Sequence, residues 1–351
     1  MNAHTRSAPT NRAENPLHGW HVDRADIRTI GRDLQRPECI LAQSDGTLWS
    51  ADARGGVMRI APDGSQRLIA QTVQDARGQK SPEDLILRGT LPNGIALDAQ
   101  GNFVIANFGT NAIETMDRRG ATRTLFTEID GRPIGKANFV MRDSRGRMWV
   151  TVTTRLEPWT RSINEQVADG YVALLDEHGI RIVAEGFLGT NESRFDATEE
   201  WLYVVESNGR RISRLRAHPD GRLTDREIFG PPDLGGVPDG FAFDAHGNLW
   251  ITLVMADRLI ALTPEGEILT LLDDGDPLRV AEFDRHFYAR TLSTEHMQAT
   301  HGTLAPWMAS VTFGGPDLRT VYLGSLLGTT IPYFRSPVAG LELPHWHEVR
   351  P

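Results

Sequence analysis

The chain has 351 residues, 40% of them apolar, and a formal charge of −9, enough for one large domain or two ordinary ones around a sizeable core. Its lysines and arginines are scattered rather than blocked, which argues against a nucleic-acid partner, and no run approaches the roughly 20 apolar residues of a membrane span. A single cysteine, Cys39, excludes an intramolecular disulfide framework and suits a reducing cytoplasm.

In chain order, the opening MNAHTRSAPTNRAENPLHGW is polar and lacks the apolar stretch of a signal peptide. Residues 1–20 are expected to be disordered and 21–351 to form one domain. From residue 45 a pattern recurs: DGTLWSAD (45–52), DAQGNFVIAN (98–107), DSRGRMWVTV (143–152), DATEEWLYVVES (196–207), DAHGNLWITL (244–253) and PDLRTVYLGS (316–325). Each is a polar turn running into an apolar strand. The first five are followed by a further strand–turn–strand, such as VMRIAPDGSQRLIA or LIALTPEGEILTLL. Apolar spacing of 3.6 residues is almost absent.

Repeats of 45–55 residues with four short strands each predict an all-β, six-bladed β-propeller. The last blade shows three convincing strands. VDRADIRTI (22–30) is expected to supply its fourth, which closes the ring and removes a sheet edge. The step from the fifth repeat to the sixth is longer than the others. It holds an insertion, about 275–309, in which PLRVAEFDRHFYARTL has helical spacing. One or two helices packed over one face are expected there.

Counting eight residues back from each turn's glycine, or its equivalent, gives Glu38, Asn93, Asn138, Asn191, Asp239 and Ser310. Every one carries a side-chain oxygen. Each lies just before the first strand of its blade, the strand that lines the central channel, so the six oxygens converge on one axis. Asn and Asp also mark turns on their own account, but Glu38 is poorly explained that way. Two carboxylates with neutral amide oxygens suit a hard divalent cation, Ca²⁺ first, then Mg²⁺ or Mn²⁺. The register contains no Cys or His, which argues against a zinc site built from soft ligands, although Zn²⁺ stays among the ions considered.

Several other candidates line up with this face. The long connection TTRLEPWTRSINEQVADG (153–170) reads as a lid that offers Arg155 and Trp159. His301 and Trp307 are the corresponding candidates in the insertion. GRPIGKA (131–137) lacks the spacing of a phosphate loop, and neither G-x-S-x-G nor H-E-x-x-H occurs. Cys39 reads as a core residue, as do the tryptophans of the repeat. NES (191–193) is a formal glycosylation sequon, but modification there would destroy a proposed ligand.

Taken together, RPECI…DGTLWSAD, LPNGIALDAQGN, GKANFVMRDSRGRMWV, TNESRFDATEEWLYVVES, VPDGFAFDAHGNLWIT and TFGGPDLRTVYLGS resemble the SMP-30/gluconolactonase/LRE-like family of six-bladed propellers over about residues 24–335. The resemblance implies metal ligands at Glu38, Asn138, Asn191 and Asp239, and a contact to substrate or to a metal-bound water at Asn93. It also implies lactone hydrolysis by water activated by a divalent metal, with Asp239 as general base or as ligand alone. Sugar-lactonase members carry an Arg two residues before the second ligand; here Lys136 stands there, a point charge without the two-pronged grip. Phosphotriester hydrolysis on the same ring, a metal-free propeller and a non-enzymatic binding propeller are the rival readings. A small-molecule lactone is the expected partner, with no nucleic acid and no membrane, for a cytoplasmic monomer or small homo-oligomer.

Overall fold

The computed structural model describes residues 15–72, 81, 84–87 and 89–348. The turn of each repeat explains why the motif recurs. The carboxylate of Asp143 accepts from the amides of Arg145 and Arg147, and that of Asp244 from His246 and Asn248, all at 2.9–3.0 Å. Each of the two also accepts the indole N–H of the tryptophan six residues on, Trp149 or Trp250, at 2.9 Å. One aspartate therefore folds the turn and fixes a core indole. Gly146 and Gly247 take the left-handed backbone between them, at φ 83° and 81°. Trp49, Trp149 and Trp250 are core residues, at most 3% exposed.

These hairpins extend into six four-stranded antiparallel sheets, the blades of a propeller. The innermost strands are Ile40–Ala42, Pro92–Leu97, Ala137–Arg142, Thr190–Phe195, Pro238–Phe243 and Met308–Gly314. Each touches the next, and the sixth touches the first. Hydroxyls stitch the seams: Thr151 Oγ1 donates to the Asn191 carbonyl at 2.6 Å, Thr252 Oγ1 to Ala309 at 2.9 Å, and Thr312 Oγ1 to Ile40 at 2.9 Å. The sixth blade is completed from the other end of the chain. Arg28–Ile30 pairs antiparallel with Ile331–Arg335, with Thr29 opposite Pro332, as the sequence predicts.

The insertion carries two helices, α2 (Pro277–Ala289) and α3 (Thr294–Gln298). Asp276 caps α2 by accepting from Leu278 N at 2.9 Å. Phe283, Phe287 and Met297 turn inward and pack with Val254 and Met255 of the fifth blade. A short helix between the first two blades, α1 (Asp84–Leu87), adds Ile86 to this layer, packs Leu85 with Ala53, Leu91 and Phe108, and has no counterpart in the sequence reading.

The expectation of disorder over residues 1–20 fails for its last part. Asn15 Nδ2 donates to Asn248 Oδ1 at 2.8 Å, Leu17 is fully buried, and Trp20 packs 5.8 Å from the Trp250 ring. Leu17 and Trp20 pack this strap on the fifth and sixth blades, and burial of their apolar surface helps to hold it there. Residues 1–14 lie outside the described residues. Among the described residues no helix is long and apolar enough to cross a membrane.

Candidate functional site

Four of the six collar positions, Asn93, Asn138, Asn191 and Asp239, occupy the second residue of an inner strand rather than the position before it. At each of the four, pairing with the neighbouring strand shifts register. A bulge leaves its residue outside the ladder and re-aims the side chain, so the collar side chains face the channel mouth instead of alternating with the strand. Glycine follows the collar residue in the second and fifth blades. A Cβ on Gly240 would sit 2.6 Å from the Ala309 carbonyl, so glycine lets adjacent inner strands close up.

Arg36, Glu38, Asn93, Asn138, Asn191 and Asp239 all line one cavity of about 110 Å³ at this mouth, and none is more than 9% exposed. Two of these residues are oriented by tethers. Asn138 Nδ2 donates to Thr153 Oγ1 at 3.1 Å and Asn191 Nδ2 to Ser207 Oγ at 3.2 Å. Both amide oxygens, Asn138 Oδ1 and Asn191 Oδ1, are buried without a hydrogen-bond partner.

The carboxylates show the same shortage of positive charge. Burial, with the charges of Glu38 and Glu192, pushes the Asp239 carboxyl well above the usual range. Burial also raises Glu38, opposed by the Arg36 guanidinium and by a hydrogen bond from Asn93. Glu192, beside Asn191 and paired with Arg194 at 3.0 Å, is pushed up to about 7, mainly by burial. Unpartnered carbonyl oxygens beside crowded carboxylates form a donor set that a hard divalent cation fits.

The other expected residues divide. Trp159 lines the cavity and packs edge-on against Phe108 at 5.3 Å. Asn93 lines it too, but its oxygen accepts from Arg36 Nη2 at 2.5 Å and its amide donates to the Asn138 carbonyl at 2.9 Å. Ser310 does not line it. Its hydroxyl donates to the Glu38 carbonyl and so ties the sixth blade to the first. Lys136 pairs with Glu157 at 3.0 Å and lies over the Phe108 ring, behind the wall. Arg155 donates to the Pro133 carbonyl and stacks on Tyr171 outside the cavity. His301 is exposed, and Trp307 is a core residue.

Two residues near the collar were missed. Arg36 donates from Nη1 to Glu38 Oε2 at 2.7 Å. The signal was present: an arginine does precede a collar residue by two positions, but before Glu38 rather than Asn138. Glu192 is hidden because strand alternation alone would turn it away from its neighbour Asn191. Elsewhere, Glu282, His286 and His296 bring ligand-type atoms within 4.8 Å of one another on α2 and α3.

A closed six-bladed wheel with buried side-chain oxygens gathered at one mouth defines the class: a β-propeller with a candidate site at the end of its channel. A sequence profile of the SMP-30/gluconolactonase/LRE-like region matches residues 80–278, more than half the chain, and the chain belongs to that family. It is 25% identical over 236 residues, 65% of this chain and 67% of the other, to a 6-deoxy-6-sulfogluconolactonase of Pseudomonas putida. Its fold resembles that of a gluconolactonase from Xanthomonas campestris (TM-score 0.63, 20% identity, 89% of each chain). It also resembles a calcium-binding regucalcin from Agrobacterium tumefaciens (TM-score 0.61, 13% identity, 90% of this chain and 97% of that one).

Proposed function

We propose that the protein is a lactonase-type hydrolase that opens a cyclic ester with water at this collar, using a divalent cation held by Glu38, Asn138, Asn191 and Asp239. Ca²⁺ is the first choice, with Mg²⁺, Mn²⁺ or Zn²⁺ as alternatives. The observation that carries the reading is the pair of orphaned amide oxygens, each aimed by a tether on its own nitrogen, beside two buried carboxylates. The names of the relatives, gluconolactonase among them, support the same reading.

When bound, the cation supplies a Lewis acid for the ester carbonyl. Thr153 and Ser207 hold the nitrogens of the two asparagines, which fixes each amide with its Oδ1 unpartnered. Asp239, a buried carboxylate on the cavity floor, is the group that would accept the proton of the attacking water. In the overall step the water oxygen bonds to the carbonyl carbon and the ring C–O bond breaks. One proton ends on the former ring oxygen, and the new acid ionises.

Lactone opening followed by proton release, with and without chelator, tests this directly. Asp239→Asn is expected to lose about 10³-fold in kcat while calorimetry still detects weakened Ca²⁺ binding. Wild-type rates in that variant, or full activity after exhaustive chelation, would rule the proposal out.

A further inference from the structure

We infer that the lactone taken by this site carries an apolar alkyl or aryl body and is not a polyhydroxylated sugar-acid lactone; the inference rests on the lactonase reading above and names its substrate class. The cavity is two-faced. Its floor is the collar. Above it, Ile86 from α1, Phe283 from α2 and Met297 from α3 join Trp159, Val254 and Leu326 as walls and roof. These come from separate segments of the chain, so the apolar roof is a property of the whole assembly rather than of one loop.

The polar side chains in the upper wall each donate a hydrogen bond to a backbone carbonyl of the protein. Ser162 Oγ donates to the Trp159 carbonyl at 2.7 Å, Asn208 Nδ2 to the Ser162 carbonyl at 2.9 Å, and Ser207 Oγ to the Pro238 carbonyl at 2.7 Å. The fully buried lining atoms left without a partner are few. Asn138 Oδ1 and Asn191 Oδ1 belong to the cation floor, and Arg36 Nε lies beside it. Trp159 Nε1 is the one such donor in the roof among the described residues.

A sugar lactone brings several hydroxyls, and each must exchange water for a partner. Here most would meet carbon, and a buried hydroxyl left unpaired costs on the order of tenfold in affinity. An alkyl or aryl group meets the same wall without that loss, and each buried methylene gains a few-fold. Neither cation of the collar region compensates. Arg36 is committed to Glu38 and Asn93, and Lys136 to Glu157.

The test compares kcat/KM of the full chain, with Ca²⁺ or Mn²⁺, on a δ-lactone series of growing alkyl length, on dihydrocoumarin and on glucono-1,5-lactone. Thermal-shift titration with the matching lactams, which resist hydrolysis, runs alongside. The expected result is a rise with alkyl length to an optimum, at least 100-fold above glucono-1,5-lactone. Val254→Thr, which adds a hydroxyl with little change of shape, should lower that ratio several-fold; Met297→Gln repeats the test at an independent site. Preference for glucono-1,5-lactone would overturn the inference and leave the lactonase reading intact. If no lactone turns over while alkyl lactams still bind and polyol lactams do not, the substrate class stands and hydrolysis falls. If neither lactam class binds, the inference is overturned as well.

Discussion

Arg36 holds an unusual position: a non-glycine residue in the left-handed region, φ 55°, buried, with its guanidinium bridging Glu38 and Asn93. Such a backbone costs energy, and here it brings a positive charge to a collar crowded with carboxylates. The guanidinium then competes with a divalent cation for Glu38. Arg36→Met is expected to tighten Ca²⁺ binding about tenfold, the scale of removing one like charge nearby at partial screening, and to lower the melting temperature of the metal-free protein. Calorimetric titration reads the first and thermal unfolding in chelator the second. Weaker Ca²⁺ binding would make Arg36 a support of the cation site rather than its competitor. At this scale the sequence was informative wherever the repeat register fixed a backbone position, as at Asn138 and Asp239. It misled wherever side-chain reach decided the outcome. Ser310 sits in register, yet its short hydroxyl finds the Glu38 carbonyl first. Lys136 finds Glu157, and Arg36 reaches forward two residues to a carboxylate that spacing alone does not pair with it.

Elements are positioned by a few buried carboxylates at their ends. Asp257 closes the loop after the fifth blade's second strand and holds the returning end of the insertion. It accepts from the amides of Gly302, Trp307 at 3.2 Å and Met308 at 2.7 Å. Asp274 does the same for Thr303 at 2.6 Å and Leu304 at 2.7 Å, and takes Arg24 from the N-terminal segment at 2.6 Å. Removing the Asp257 carboxylate leaves three amides short of an acceptor, two of them buried in the protein. Asp257→Ala is therefore expected to destabilise the fold by about 3 kcal/mol, read as a lower urea midpoint. An unchanged midpoint would mean that water replaces the carboxylate and that the insertion is held by Phe283 and Phe287 alone. The helices themselves were legible from the spacing in PLRVAEFDRHFYARTL. The clamp was not, because Asp257 and Met308 are distant in sequence and neither lies in a motif. The inner-strand bulges were equally hidden, since a period-2 pattern places residues on faces but does not reveal a skipped partner.

Across the whole molecule, the six-fold repeat made the closed wheel readable, and the unfilled edge of the last blade pointed to the N-terminal strand. The other end of the channel was not readable. There a C-terminal segment, Leu341–Glu348, lies against a larger cavity of about 750 Å³ that none of the collar residues lines. It follows no repeat and carries no periodicity. Its anchors are particular contacts: the Ser44 amide donates to the Trp346 carbonyl at 2.9 Å, Gln43 Nε2 to the Glu348 carbonyl at 2.7 Å, and Arg142 pairs with Glu348. His345 is buried in this plug, and burial, with the charges of Arg194 and Arg142, pushes its imidazole down to about 3. A base with a depressed folded-state pKa stabilises the fold fully above its unfolded value of 6.5 and loses that contribution as pH falls from there toward 3. Within that window the loss approaches about 1.4 kcal/mol per pH unit. Unfolding free energies of the wild type and of His345→Gln, measured with denaturant at pH 7, 6 and 5, isolate the term, because the acidic groups common to both proteins cancel in the difference. The wild type is expected to lose stability relative to the variant over these two pH units. Parallel profiles would mean that His345 reaches solvent as it protonates, and that the plug opens locally before the wheel does.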